Sequence, residues 1–332
     1  MNKQTKPISF GKDKDIDWKN FFEDKKEELK PISFGNSNQE SDNFYSTISN
    51  ETPDDFVPLR EGERVTNIKN KDSNFVFFFG TSASGKSVIL SSMLYTLRTK
   101  FGVIRPNKTT PNSQEAMVLL SDFFENIRQG ILPQRTVRDQ VTRMDLVFEP
   151  NNKSKKVNPI NLTFLETSGE NHNEIRRGGQ YHSSISQYLK AEIPISFIIV
   201  TSYNVAHKDD TIINDFLFKL ESEGKNLKNV NVVLVVSKWD LSGSQTPTGE
   251  ELDFFIKERL PMTHQFLETN GMDKTYYTVG QLQNVGGNDK IIALNLDAAE
   301  ILSKWLYRNI TGVSLDYEGT FWEQLKWSLG LK

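Results

Sequence analysis

Phe75-Val76-Phe77-Phe78-Phe79 runs straight into Gly80-Thr81-Ser82-Ala83-Ser84-Gly85-Lys86-Ser87, and Val88-Ile89-Leu90 then opens a helical pattern. A short, wholly apolar run rich in aromatic residues predicts a strand buried on both faces. The residues after it carry the spacing G-x-x-x-x-G-K-[ST], and a helix is expected over 86–100. Between a strand and a helix, this spacing predicts a nest of backbone N–H groups at a helix N-terminus, suited to phosphate. Gly80 through Val88 are the expected contacts. Lys86 would bridge the β- and γ-phosphates, and the Ser87 hydroxyl would ligate magnesium.

Working outward, the hydrophobic fraction of the 332 residues is 36%, below the globular average. The deficit lies in residues 1–73, mostly Lys, Asp, Glu, Asn and Ser, a composition that predicts a disordered arm. Within that arm Lys6-Pro7-Ile8-Ser9-Phe10-Gly11 recurs as Lys30-Pro31-Ile32-Ser33-Phe34-Gly35. An extended, apolar-anchored hexamer repeated in a polar segment reads either as a bivalent docking motif for a protein partner or as a duplication with no present role. The formal net charge is −3 with no Lys/Arg block, so a nucleic-acid partner is not indicated. With no cysteine, disulfides and thiolate metal sites are excluded. The opening Met-Asn-Lys-Gln-Thr-Lys leads into no apolar segment, and runs such as 195–200 are too short to span a bilayer. The expectation is a cytoplasmic chain.

Past residue 73, short β-branched and aromatic runs alternate with helical patterns. Strands are expected at 75–79, 144–148, 161–166, 195–201, 230–237 and 276–279, and further helices at 114–129, near 174–189, at 210–223, 249–269 and 297–310. This alternation predicts an α/β fold of three layers, a mostly parallel sheet with helices on both faces. It would occupy 74–310, with a helical insertion at about 101–135 and a C-terminal helical extension over 311–332. In that extension Phe321, Trp322, Leu325 and Leu329 share one helical face, which would pack back on the domain or dock on a membrane interface or partner.

Val235-Val236-Ser237-Lys238-Trp239-Asp240, closing an apolar run, resembles the base-recognition motif [N/T]-K-x-D of P-loop GTPases, with Ser237 where Asn or Thr is usual. The resemblance implies that the Asp240 carboxylate accepts the guanine N1 and N2 protons while the Lys238 stem packs along the base. The Ser237 hydroxyl would bond the phosphate-loop backbone as Thr does. Leu165-Glu166-Thr167-Ser168-Gly169-Glu170 resembles D-x-x-G. Glu166 would then hold magnesium, directly or through water, and the Gly169 N–H would meet the γ-phosphate. Glu170 stands where small GTPases place the Gln that orients the attacking water. A carboxylate there would act as a base or repel the phosphate.

Two further elements complete the resemblance. Gly130-Ile131-Leu132-Pro133-Gln134-Arg135-Thr136 offers Thr136 as a second magnesium ligand, with Thr109 and Thr110 as rivals. Arg135 beside it would be an internal arginine finger or a solvated loop residue. In Tyr277-Thr278-Val279-Gly280, Thr278 and Val279 replace the usual S-A-K, with a backbone N–H for guanine O6. The order of these motifs is similar to that of Ras-like P-loop GTPases, and two of them also resemble the bacterial double-GTPase families. That likeness implies GTP or GDP with Mg2+ as ligands, GTP hydrolysis, and a switch that works with a protein partner. The alternatives are a nucleotide-binding scaffold that does not turn over, and an ATPase in which 237–240 is an ordinary turn. His172, His182, His207 and His264 show no metal-ligand spacing, and His172 and His182 read as solvated loop residues or reporters of nucleotide state.

Overall fold

The computed structural model describes residues 68–317 apart from 69, 71, 134–140, 152–156, 171, 173–174, 176–180, 182 and 228–229. The chain divides into two units, Met1–Pro58 and Leu59–Lys332, and every described residue belongs to the second. The repeated hexamers, Thr136, Arg135, His182 and the helix expected at the C-terminus lie outside the described residues.

The wholly apolar run forms β1 (Asn74–Phe79), and Lys86 starts α1 (Lys86–Thr96), which continues as one π-type turn through Phe101. Then come β2 (Gly102–Pro106), α2 (Ser113–Arg128), β3 (Val141–Pro150), β4 (Ile160–Thr167) and α3 (Ser183–Lys190). They are followed by β5 (Ile195–Ser202), α4 (Ala206–Ser222), β6 (Asn231–Ser237), α5 (Gly249–Arg259) and α6 (Pro261–Asn270). The last elements are β7 (Asp273–Tyr276), β8 (Gly280–Val285), β9 (Asn288–Leu294) and α7 (Asp297–Thr311).

Seven strands form the main sheet in the order β2-β3-β4-β1-β5-β6-β7. β1 pairs in parallel with β4 and β5, and β5–β6 and β6–β7 are parallel as well, whereas β3 runs against both of its neighbours. Strand order therefore reverses at β1, which places a crevice outside its carboxyl end. Residues 75, 77 and 79 face one layer: Phe75 meets Tyr188 of α3 at 5.9 Å between ring centroids, and Phe79 stacks on Phe216 of α4 at 3.9 Å. Val76 and Phe78, on the opposite face, are equally buried. That face carries α7, whose Tyr307 meets Phe148 edge-on, and α1, where Ser303 Oγ of α7 lies 3.5 Å from Met93 O. Each fully buried phenylalanine contributes roughly 2–3 kcal/mol, so the strand that ends at the glycine-rich loop is firmly anchored in the sheet. The three-layer, mostly parallel architecture is that of a P-loop nucleotide-binding fold.

Several elements differ from the sequence expectation. The 101–135 insertion carries an edge strand, β2, as well as its helix, because Val103 and Arg105 stay exposed while Ile104 is buried against β3. The helix expected over 249–269 is two helices: Pro261 lacks an N–H and its ring obstructs the preceding turn, so it starts α6 while Leu260 takes φ −135°. The strand expected at 276–279 lies earlier, over β7, and leaves Thr278 and Val279 in the loop beyond it. The β8–β9 hairpin was not expected. Its Gly286-Gly287 turn takes φ +63° and +87°, the mirror-image turn that matches strand twist. Near 174–189 the described helical residues are those of α3. The folded unit also includes residues in front of Asn74. Ile68 joins the core, and Asn70 Nδ2 donates to Asp145 Oδ1 at 3.2 Å.

Candidate functional site

Because β1, β4, β5 and β6 run in one direction, their carboxyl ends meet along one edge. Phe78 is level with Glu166, Phe79 with Ile199, and Ser202 with Ser237. The sheet alone therefore gathers the three loops that follow β1, β4 and β6. They enclose a cleft lined by residues 82–88, 166–169, Lys238, and Leu132 with Pro133. Two of the three non-glycine residues with positive φ among the described residues are in its lining, Ala83 at +61° and Lys238 at +55°. Backbone held in this sparsely populated region is a mark of a site whose surroundings over-determine it.

The glycine-rich loop wraps its own lysine. Lys86 Nζ donates to Gly80 O at 2.9 Å and Thr81 O at 3.1 Å, which aims a mostly buried ammonium into the loop. Ser87 Oγ donates to Glu166 Oε1, and Glu166 is 2% exposed. Gly169 approaches so closely that a Cβ would sit 2.0 Å from Ser82 N, so no other residue permits this contact. Glu170 is exposed, and its N–H donates to Ser168 Oγ at 3.4 Å.

The loop after β6 is bonded to the glycine-rich loop: Ser237 Oγ donates to Ser84 O at 2.5 Å. Trp239 turns inward against Tyr203 and Phe255, each at 5.4 Å between centroids, so that Lys238 and Asp240 on either side face outward. Thr278 Oγ1 donates to Asp240 Oδ1 at 3.3 Å, and the Trp239 N–H donates to Tyr277 O at 3.2 Å. Ser237, Lys238, Asp240 and Thr278 thus share one rim, whereas Val279 is buried in the core and its carbonyl accepts from the Asn295 N–H at 2.9 Å. Gln245 Oε1, 3.4 Å from Thr278 Oγ1, joins the rim, a residue with no signal in the sequence. The β8–β9 hairpin connects this rim with the cleft wall at Leu132 and Pro133. The Ile291 N–H donates to Gly130 O at 2.7 Å, and Ile131 bridges Lys290 two residues before Pro133.

Other predicted residues fall elsewhere. Thr110 donates to Asn107 O and Thr109 to Asn107 Oδ1, both at 2.8 Å, which occupies them in the turn between β2 and α2. His172 is not a solvated loop residue. It is fully buried, Nε2 is 3.0 Å from Thr167 Oγ1, and its ring lies 4.4 Å from that of Phe79.

The oxygen donors Ser87 and Glu166 suit a small hard cation such as magnesium, which keeps several waters and needs few protein ligands. No group of three or more His, Cys, Asp or Glu side chains able to hold a metal occurs among the described residues. Nor is any helix among them long and apolar enough to cross a membrane.

No protein-family model matches the chain, and no curated protein matches it significantly. Among solved structures it is similar to the signal recognition particle receptor SRb-GTP/SRX complex from Chaetomium thermophilum, at 13% identity and a TM-score of 0.41 over 71% of this chain and 98% of that one. The fold assignment rests on the strand order and register above.

Proposed function

We propose that this chain binds GTP with magnesium and hydrolyses it to GDP and phosphate, as a switch that regulates or recruits a protein partner. The observation that carries this reading is the hydrogen bond from Ser237 Oγ to Ser84 O, which joins the base-recognition element to the phosphate loop. An ordinary charged turn after a core strand has no reason to be bonded there, and no reason to aim Asp240 at Thr278 on the same rim.

In this reading the loop N–H groups and Lys86 hold the phosphates, Ser87 and Glu166 hold the metal, and Asp240 with Lys238 selects guanine. Magnesium held there would supply neutralisation of the phosphate charge. Catalysis by these residues is positioning and electrostatics: Lys86 and the Gly169 N–H face the charge that develops on the transferred group. Glu170, exposed beside Gly169, would accept the proton of the attacking water. Competition of GTP and ATP for the purified protein tests the base; equal affinity would remove guanine selection.

A second reading is favoured by Glu170 itself. A carboxylate in place of a neutral amide repels the γ-phosphate unless a partner neutralises it, and the chain then binds GTP without turnover. Single-turnover phosphate release separates the two: no release over hours, with GTP bound, selects the scaffold.

A further inference from the structure

The N-terminal part of α4 carries two adjacent carboxylates, Asp209 in its first turn and Asp210 after it, which are 3% and 6% exposed. Acidic side chains are rarely buried this fully, and then only against partners. Asp210 has an ordinary explanation: its oxygens accept the N–H groups of Met262 at 3.1 Å and Thr263 at 2.9 Å, capping the start of α6. Asp209 turns toward the site. Its Oδ2 accepts from Thr201 Oγ1 at 2.7 Å, where β5 ends, and from Thr81 Oγ1 at 3.1 Å, inside the glycine-rich loop.

Thr81 is thereby held through two atoms. Its hydroxyl reaches α4, and its carbonyl accepts from Lys86 Nζ. The peptide that follows is the surface on which Gly169 packs, 2.2 Å from Thr81 C for an added Cβ. A negative group beside an anion-binding loop opposes phosphate on charge alone, so its placement here calls for a geometric reason. We propose that Asp209 is a positioning residue which, through Thr81, holds the phosphate loop in its binding geometry before nucleotide enters. This rests on the reading of that loop as the phosphate site. The gain is preorganisation: a loop already set loses less conformational freedom on binding.

The test uses the full chain and four variants: Thr81→Val, Thr81→Ser, Asp209→Ala and the Thr81→Val/Asp209→Ala double change. Two readouts are taken, affinity for a fluorescent GDP and amide hydrogen exchange over residues 80–84 in nucleotide-free protein. Thr81→Val and Asp209→Ala should each weaken GDP roughly tenfold, the range of one hydrogen bond to a charged group, and the double change no further. Thr81→Ser, which keeps the hydroxyl, should bind within about twofold of wild type. Exchange over 80–84 should quicken in Thr81→Val and stay at the wild-type rate in Thr81→Ser. Thr81→Val affects a partly exposed loop residue, so the test stands even where Asp209→Ala fails to fold. Unchanged exchange in Thr81→Val overturns the proposal, as do additive losses in the double change. A wild type that binds no guanine nucleotide defeats the proposed function instead, and the exchange comparison still decides whether Asp209 sets the loop.

Discussion

At the residue scale, Lys86 and Asp240 divide the two tasks of the site in the proposed function. Lys86 donates to two loop carbonyls, and its ammonium is the cation the phosphates would face. Lys86→Ala removes that charge and leaves the apolar core of β1 and α1 untouched. We expect a loss of roughly 3 kcal/mol, about a hundredfold in GTP affinity, as for a charge-assisted contact shielded from water. Calorimetry on a variant of normal melting temperature checks it, and undiminished affinity would end the reading of this loop. Asp240 carries a separate expectation. Asp240→Asn exchanges an acceptor for a donor, so GTP should weaken by at least tenfold while xanthosine triphosphate, which offers a carbonyl at that position, improves. Equal GTP affinity in both proteins would move base recognition elsewhere on the rim.

At the element scale, the β8–β9 hairpin fastens the segment before residues 134–140 to the rim that carries Thr278. Gly130 makes this possible: it takes φ +68°, and a Cβ there would lie 2.4 Å from the Ile291 carbonyl oxygen, a backbone atom with nowhere to retreat. Gly130→Ala should therefore cost about 1–3 kcal/mol of stability and loosen Leu132 and Pro133, which line the cleft. Gly224 supplies the comparison, with φ +90° but nothing within 4 Å of its added Cβ. Gly224→Ala carries the backbone strain alone. Thermal melting and nucleotide affinity measured on both variants distinguish strain from contact. Gly130→Ala should lose more stability and also weaken nucleotide, whereas equal losses with unchanged binding would show that the hairpin does not hold the cleft wall.

At the scale of the whole molecule, the folded unit begins before β1. Ile68 is 6% exposed, and Asn70 Nδ2 donates to the fully buried Asp145, which also accepts from Thr163 Oγ1 at 2.6 Å. A chain starting at Leu59 should match the full chain in melting temperature and nucleotide affinity. One starting at Asn74 should lose about 2–4 kcal/mol, since it deletes a core isoleucine and withdraws a donor from a buried carboxylate. Equal melting of the two shortened chains would show that this segment adds nothing. The same pair of proteins bears on the repeated Lys-Pro-Ile-Ser-Phe-Gly hexamers, which both shortened chains lack. We propose that they dock two equivalent sites on a partner assembly, the second engagement gaining from effective concentration. Phe10→Ala with Phe34→Ala in the full chain should then reduce partner recovery far more than either change alone, with nucleotide affinity unaltered.

What the amino-acid sequence determined by itself is local. The strand, loop and helix from Phe75 to Leu90 could be read directly because apolar runs, glycine spacing and helical period act within a few residues of one another. Pro261 and Gly286-Gly287 were equally local signals, overridden by an apolar pattern that continues through the first and by the polar surroundings of the second. β2 was not legible, since its exposed Val103 and Arg105 interrupt any apolar run and its existence depends on pairing with β3. Tertiary structure decided which loops face one another. Ser237 and Ser84 are 153 residues apart, and Asp209 and Thr81 are 128 apart. They meet because parallel strands β1, β5 and β6 lie side by side and end together. The motif resemblance anticipated the first contact, whereas nothing in the sequence indicated the second; both arise because the parallel strands, buried on both faces, bring their carboxyl ends to one edge.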